Sequence, residues 1–240
     1  MATTVTRYVN TASTAGGDGT TNATSGATRA YAGLQAAITA QASARPNLVS
    51  NDELLYVLCE GTAADTAPVI ITGFTTDSTR YVWIAGNSTA AGRHLGVWSA
   101  SHYRVQVNAA SAKAIVDDEE WTRIEGIQAY NSNAGSEGVL KVFGLAGTVT
   151  YEGLILRGGD IASPVIFQDQ GTASMTVRNC VVYGGSDGIA SSGATTLLEN
   201  VTIAGNSARG VVRNAGTLIC RNCYAGGSGS GADYASTGTY

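Results

Sequence analysis

The amino-acid sequence predicts an all-β solenoid, in which the chain coils so that short strands stack on one another. Three observations predict it: five segments share one register, their fifth residues are all glycine or asparagine, and these residues recur at a nearly constant interval. The segments are Thr122–Ala129, Val149–Leu156, Met175–Val182, Thr196–Ile203 and Leu218–Ala225. Their fifth residues are Gly126, Gly153, Asn179, Asn200 and Asn222, which lie 27, 26, 21 and 22 residues apart. A period of this size, with strands and no helical pattern between them, is typical of solenoids.

The fifth position of each segment is predicted to be a corner between two short strands. Gly and Asn are the residues that most readily adopt a positive φ. The apolar side chains also change phase at this position. In the third segment, Met175 and Val177 lie four and two residues before Asn179, whereas Cys180 and Val182 lie one and three residues after it. Two strands with alternating side chains, joined by one left-handed residue, give this pattern.

This corner resembles the asparagine-ladder turn of right-handed parallel β-helices, the pectate-lyase-like group. The resemblance covers most of the chain. It implies a single-stranded right-handed parallel β-helix of about seven or eight rungs, each with about three short strands and three turns. The opening of the chain, with Gly17-Asp18-Gly19 followed by Leu34-Gln35-Ala36-Ala37, also resembles the leading segment of many β-helix proteins. The resemblance concerns architecture, because fold and function are separate claims.

We divide the chain into three parts. Residues 1–45 are predicted to hold a leading strand, a loop and a capping helix, residues 46–227 the parallel β-helix, and residues 228–240 a flexible tail rich in Gly and Ser. The helix is predicted over residues 28–42 with Thr28 as its N-cap, because Tyr31 begins a helical apolar spacing. It would cover the first rung, whose core and strand edge would otherwise be open.

The remaining strands are predicted from short apolar or alternating runs. In the less regular early part, these are residues 54–59, 68–74, 81–86, 95–100 and 103–108. Between the registered corners, they are residues 139–143, 164–168, 188–192 and 210–214. Trp83, Trp98 and Trp121 are predicted to be packing residues, with a sugar-stacking role for one of them as the alternative.

Composition argues against two classes of partner. The net charge of −4 provides no basic field, which argues against nucleic acid. The sequence has no apolar run of about 18 residues, so no membrane span is predicted. The N-terminus lacks a basic start followed by an apolar run, so we expect no secretory signal and expect release from a cell by another route, such as lysis.

No cofactor or metal is predicted. The acidic run Asp117–Glu120 is interpreted as a solvated turn, with a calcium site as the alternative. Cys220 and Cys223 form a C-x-x-C motif, but both fall in apolar columns without a second ligand pair. Cys180 shares the column of Cys223 but lies two rungs away, too far for a disulfide. All four cysteines of the chain, these three and Cys59, are therefore predicted to be buried free thiols.

One charged ladder is the main candidate for chemistry. The residue before each corner is predicted to point outward, which gives Glu125, Glu152, Arg178, Glu199 and Arg221. Two stacked glutamates would lie about 5 Å apart, the separation that retaining glycosidases use. Structural pairing of opposite charges on neighbouring strands is the favoured interpretation. The two histidines, His94 and His102, show no carboxylate or serine partner and are assigned a surface or turn role. No catalytic residue is therefore predicted.

The function that follows from the resemblance is structural. Short β-helices of this composition look like bacteriophage virion proteins, so we expect a capsid decoration or cement protein, or a head spike, on the capsid surface. The major capsid protein or another virion protein is the expected partner, with a homo-oligomer such as a trimer as a further arrangement. Tyr234 and Tyr240 mark the tail as a partner-docking arm or a frayed terminus. The alternatives are a polysaccharide lyase or hydrolase, and a tailspike-like or adhesin-like glycan-binding protein that uses Trp98 or Tyr103.

Overall fold

Three parallel β-sheets, stacked as in a parallel β-helix, make up the computed structural model of the chain. The structure describes residues 2–87, 92–133, 138–144, 146–159, 162–227, 229 and 233–236. Strands are numbered in chain order. From β2 onward, successive strands belong to the first, second and third sheets in turn, so neighbours within a sheet are parallel strands from successive coils. The predicted solenoid with about three strands per coil is confirmed at this level.

The first sheet has eight strands, and the last five of them end one residue before the predicted corners. The eight strands are β1 (Thr3–Asn10), β2 (Glu53–Glu60), β5 (Val82–Gly86), β8 (Trp121–Glu125), β11 (Thr148–Glu152), β14 (Ser174–Arg178), β17 (Thr195–Glu199) and β20 (Thr217–Arg221).

The second and third sheets have seven strands each. The second sheet holds β3 (Ala64–Asp65), β6 (Arg104–Val107), β9 (Gln128–Asn131), β12 (Ile155–Gly158), β15 (Val181–Tyr183), β18 (Thr202–Ala204) and β21 (Tyr224–Gly226). The third sheet holds β4 (Val69–Ile71), β7 (Ile115–Asp117), β10 (Leu140–Gly144), β13 (Ile166–Gly171), β16 (Asp187–Ser191), β19 (Arg209–Arg213) and β22 (Tyr234–Ser236).

Two helices precede β2: α1 (Leu34–Ala44) and α2 (Leu48–Asn51). The predicted start of the first helix, with Thr28 as N-cap, is wrong by about two turns. Residues before the helix are bonded to β1 instead, because the N–H of Tyr31 donates to the carbonyl of Tyr8 at 2.9 Å. The first N–H of α1 is accepted by the Asp65 carboxylate at 2.7 Å. The helix is therefore capped by a carboxylate that is distant in sequence, and not by the predicted N-cap Thr28.

The strand predicted over residues 95–100 is also wrong, since these residues form turns and bends. The backbone of Ser99 bonds to a side chain in place of a neighbouring strand. Its N–H donates to Oε1 of Gln128 at 2.7 Å, and its carbonyl accepts from Nε2 of the same residue at 2.9 Å. One amide side chain thus satisfies both polar groups, so the apolar run need not join a sheet.

The core consists of apolar columns that run from coil to coil. In the first sheet, one column of side chains in register is fully buried and holds Val57, Ile84, Ile124, Tyr151, Val177 and Leu198. The column ends at Cys220, which is exposed, and Cys223 is half-buried. The prediction that this pair is buried is wrong because β20 is the last strand of the first sheet in the described part of the chain. Cys59 and Cys180 are buried as predicted.

All five corner residues adopt a positive φ. The angles are 64° for Gly126, 59° for Gly153, 54° for Asn179, 53° for Asn200 and 50° for Asn222. The asparagine side chains form a ladder, in which Asn222 Nδ2 donates to Asn200 Oδ1 at 2.7 Å and Asn200 Nδ2 donates to Asn179 Oδ1 at 3.2 Å. Asparagine therefore serves here both as a left-handed residue and as a bond between coils.

The earliest coils carry a different polar ladder at the same end of the first sheet. Glu60 accepts from Nδ2 of Asn10 at 3.0 Å, from Nδ2 of Asn22 at 2.6 Å and from Nδ2 of Asn87 at 2.8 Å. A carboxylate that receives several amide donors joins the leading strand and its loop to the next two coils. The corner register of the later segments does not extend to these residues, so this ladder was not predicted.

The two corner glycines differ in the space around them. A Cβ at Gly126 would lie 2.9 Å from both Cγ and Nε of Arg93, whereas a Cβ at Gly153 would meet only the Arg93 Nη2 atom at 3.4 Å. Gly126 is therefore required by close packing, while Gly153 borders an ordinary contact at the flexible end of a side chain.

We predict that Gly153→Asn raises the free energy of unfolding by about 1 kcal/mol, because the new amide stands next to Asn179 in the ladder and the unfolded chain loses glycine freedom. The matched change Gly126→Asn lowers it by about 1–3 kcal/mol through overlap with Arg93. Urea denaturation of the two variants beside the unsubstituted chain measures both changes. Equal effects at the two positions would contradict the packing explanation.

Candidate functional site

The charged ladder predicted on the outer face of the first sheet exists as a set of neighbouring residues. In register on successive strands it runs Glu125, Glu152, Arg178, Glu199, Arg221. The two stacked glutamates share one partner from outside the ladder, since Arg123 Nη2 lies 3.0 Å from Glu125 Oε2 and 2.9 Å from Glu152 Oε2. The ladder is thus held together by charge pairs that run both along and across the strands.

The two arginines of the ladder differ in pairing. Arg221 Nη1 lies 3.0 Å from Glu199 Oε1. Arg178 stands between two glutamates in register, yet no ion pair to it occurs within the described residues, and its buried Nε has no hydrogen-bond partner there. Arg178 is therefore the ladder residue most open to an external anion.

A shallow groove borders the ladder. It has a volume of about 260 Å³ and is lined by Tyr81, Trp121, Arg123, Glu152 and Arg178 among others. Aromatic walls with two guanidinium groups and one carboxylate could hold a polar, ring-shaped ligand. The groove is open, and its carboxylate already pairs with Arg123.

The acidic run Asp117–Glu120 is not the fully solvated turn that we predicted, because Asp117 and Glu119 are buried. The Asp117 carboxylate accepts from the Tyr151 hydroxyl at 2.6 Å and from the Thr122 hydroxyl at 2.8 Å. The Glu119 carboxylate accepts from the N–H of Phe74 at 2.7 Å. Burial raises the pKa of Asp117 to about 6 and the pKa of Glu119 to about 7.

These carboxylates act as internal acceptors for the chain. In the part of the chain that the structure describes, no group of three or more His, Cys, Asp and Glu residues is placed to hold a metal ion. The calcium alternative for the acidic run therefore finds no such ligand set among those residues.

A second surface candidate lies on the outer face of the second sheet. Tyr130, Arg157 and Tyr183 occupy matching positions on β9, β12 and β15. The Arg157 guanidinium lies 4.7 Å from the ring centroid of Tyr130 and 5.9 Å from that of Tyr183. Trp98 also contacts Tyr130 in an edge-to-face arrangement, with ring centroids 5.9 Å apart. We call the three stacked residues the Tyr-Arg-Tyr stack.

Tyr130 and Arg157 of the Tyr-Arg-Tyr stack line a groove of about 480 Å³ whose other walls are mainly glycine and serine. Sequence reasoning missed the stack, although a signal existed. Each of its three residues lies four positions after a corner, at Gly126, Gly153 and Asn179, directly beyond the eight-residue segments. Tyr103, the other aromatic considered for glycan contact, is fully buried and donates to Asp65 at 2.8 Å, so that assignment is wrong.

The remaining predicted residues are placed as follows. His94 is buried, and burial lowers its pKa, so a surface role is wrong for it. Its Nδ1 accepts from the N–H of Gly96 at 3.0 Å, two residues further on, which agrees with the turn role. Tyr234 lies in β22, paired with β19, and its hydroxyl donates to the carbonyl of Cys223 at 3.3 Å. Tyr240 lies outside the described residues, and a docking role for the two tyrosines stays a prediction.

Comparison with family models, with curated proteins and with solved structures found no match for the chain. Among the described residues, neither helix has the length and apolar character needed to cross a membrane. The proposed function therefore rests on the geometry of the charged ladder and of the two grooves.

We predict that folding becomes less stable as the pH rises through about 6. Burial raises the pKa of Asp117 from its ordinary value of 3.8 to about 6 in the folded chain. Between these two pH values the folded chain keeps a proton that the unfolded chain loses, so the free energy of unfolding falls as the pH rises. Asp117→Asn should remove roughly 3 kcal/mol of the fall in unfolding free energy between pH 4 and pH 8. Denaturant titrations at both pH values measure it.

The matched control for this experiment is Asp118→Asn, which changes a half-buried neighbour in the same turn. We expect this control to keep the pH dependence of the unsubstituted chain. If Asp117→Asn keeps it as well, Asp117 does not titrate as its burial indicates.

Proposed function

We propose that the chain is a non-enzymatic structural protein of a bacteriophage virion, a capsid decoration or cement protein or a head spike. In this proposal the coil is right-handed, as connections between parallel strands of one sheet almost always are. Helix α1 covers the first coil, which agrees with the burial of its residues Leu34, Ala37 and Ile38. The partner is the major capsid protein or another virion protein, and the location is the capsid surface.

The observation that carries the proposal is the bridging of both stacked glutamates by Arg123. The retaining mechanism needs two carboxyls that are left open to the sugar, one as nucleophile and one as acid. Both carboxylates of this pair are instead engaged by one guanidinium, that of Arg123, at 3.0 Å from Glu125 and 2.9 Å from Glu152. The arrangement therefore favours a framework that locks neighbouring strands in register over a catalytic pair.

The hydrogen-bond ladders between coils also support a rigid body. Backbone pairing continues through three sheets, and asparagine and carboxylate side chains add bonds between coils at one corner. Each buried apolar side chain in the stacked columns contributes about 1.5–3 kcal/mol. A body with this many mutually supporting contacts opens locally with difficulty, which suits exposure on a particle.

The proposal is tested with capsids of the phage that encodes the chain, assembled without it. We expect the purified chain to sediment with these capsids and to saturate at a fixed number of copies per capsid. Glu152→Gln should bind equally well, because the carboxylate has a role within the chain only. If the unsubstituted chain stays in the supernatant at micromolar concentration, the proposed role is wrong.

A polysaccharide-acting or glycan-binding protein is the second candidate, and one observation favours it. The groove beside Tyr81 and Trp121 contains the Arg178 guanidinium, to which the described part of the chain offers no ion pair. Incubation with a panel of polysaccharides, followed by assays for new reducing ends and unsaturated products, tests for catalysis. Any activity should be abolished in Glu152→Gln. A glycan array tests binding, which Trp121→Ala should weaken.

A further inference from the structure

The loop between β5 and β6 is firmly held at both ends. We call residues 92–103 the strap. At its start, Arg93 Nη1 lies 2.7 Å from Glu125 Oε1, and the next side chain, His94, is buried. Towards its end, Ser99 is bonded through both backbone groups to the Gln128 side chain, and the carbonyl of Ala100 accepts from Arg104 at 2.7 Å. The strap therefore has a fixed path across the corner of the solenoid.

The apex of the strap exposes two aliphatic side chains. Leu95 is 89% exposed and Val97 is 72% exposed, the highest values among the large apolar residues that the structure describes. Each would gain about 1.5–3 kcal/mol from full burial. Because the flanks are already anchored, little conformational freedom would be lost when a partner covers the apex. An apolar apex on an ordered loop is typical of a docking surface.

The Tyr-Arg-Tyr stack continues this surface. Trp98, next to Val97 in the chain, contacts the ring of Tyr130, and that ring faces the Arg157 guanidinium. Several surface arginines have carboxylate partners, for example Arg209 with Asp187 at 2.8 Å. For Arg157, none occurs within the described residues. A guanidinium oriented by aromatic rings is prepared for bidentate binding of a carboxylate.

We propose that the strap apex and the Tyr-Arg-Tyr stack together form the face that docks on a virion protein. That protein offers an apolar recess for Leu95 and Val97 and a carboxylate for Arg157. The inference rests on the proposed function and names the surface that performs it. Trp, Tyr and Arg are the residue types that dominate binding energy at protein interfaces.

A protein partner fits this face better than a saccharide. Sugars stack on free aromatic faces, but one face of Tyr130 is already turned towards Arg157. Exposed aliphatic side chains such as Leu95 and Val97 gain little from a hydroxyl-rich ligand. An acidic saccharide could still pair with Arg157, and the experiment below separates the two.

The experiment compares variants of the full chain for binding to the same capsids. We expect the double variant Leu95→Ser with Val97→Ser to raise Kd at least tenfold, and Arg157→Gln to do the same. Arg157→Gln should also make binding less sensitive to salt, because one charge pair is lost. Two matched controls should bind like the unsubstituted chain. Ile70→Ser changes an apolar residue that is 45% exposed on the third sheet, and Arg221→Gln removes an exposed guanidinium whose carboxylate partner, Glu199, belongs to the chain itself.

Each outcome decides something. If the unsubstituted chain does not bind capsids, the proposed function falls and this inference falls with it. If the chain binds and the strap and Arg157 variants bind equally well, only the inference is wrong. In a third outcome, soluble polygalacturonate competes with capsid binding, Arg157→Gln abolishes capsid binding, and the Leu95/Val97 double variant still binds. The face then binds an acidic saccharide, and the proposed protein partner is wrong. Thermal melting of each variant confirms that the fold is intact.

Discussion

The structure depends on one backbone constraint, a single left-handed residue at the end of the first sheet in each of the five coils from Gly126 to Asn222. The chain turns there without leaving its hydrogen-bond ladder. The N–H of Gly126 donates to the carbonyl of Glu152 at 2.9 Å, and the N–H groups of Gly153, Asn179 and Asn200 donate likewise to the following coil at 2.9–3.0 Å. Since pairing is continuous through the corner, strands on both sides keep one register, and a slip by one residue would turn every buried side chain outward. The apolar columns and the outer charged ladder both follow from this register.

Stacking in register also buries polar side chains, and a repeated arrangement provides them with hydrogen-bond partners. Tyr103 and Tyr151 are fully buried, and each hydroxyl donates to a buried carboxylate, Asp65 at 2.8 Å and Asp117 at 2.6 Å. A tyrosine can fill a wide coil because its polar end finds such a partner. Later coils replace the carboxylate by neutral groups, where Gln168 accepts from the hydroxyl of Ser191 at 3.1 Å. The next three coils place Val142, Gln168 and Ser191 in register with Asp117, so that column holds no further carboxylate there.

The regular part of the fold was predictable from the sequence, because each of its coils repeats the same local rule. Residues 175–182 fixed corner, phase and strand without any information from outside the segment. The errors lie where a distant side chain decides. The helix begins at Leu34 because Asp65 accepts its N–H, residues 95–100 leave the sheet because Gln128 replaces a strand, and Asp117 is buried because Tyr151 reaches it. Of the candidate surfaces, the ladder of outward charges was predictable from alternation. The stack around Arg157 follows the same alternation, four residues after each corner, but it lies just beyond the eight-residue segments that define the register.

The position where the repeat departs from asparagine is also where the surface acquires a specific shape. At Gly126 an asparagine side chain has no room, because Arg93 lies across the corner and pairs with Glu125. Glycine at that corner therefore permits the strap to be seated, and the seated strap in turn presents Leu95 and Val97 and places Trp98 against Tyr130. In the coils from Asn179 onward no such segment covers the corner among the described residues, and the ladder is complete. A break in a repeat is thus informative in itself, because the repeated residue is replaced at the coil where another element has to pack.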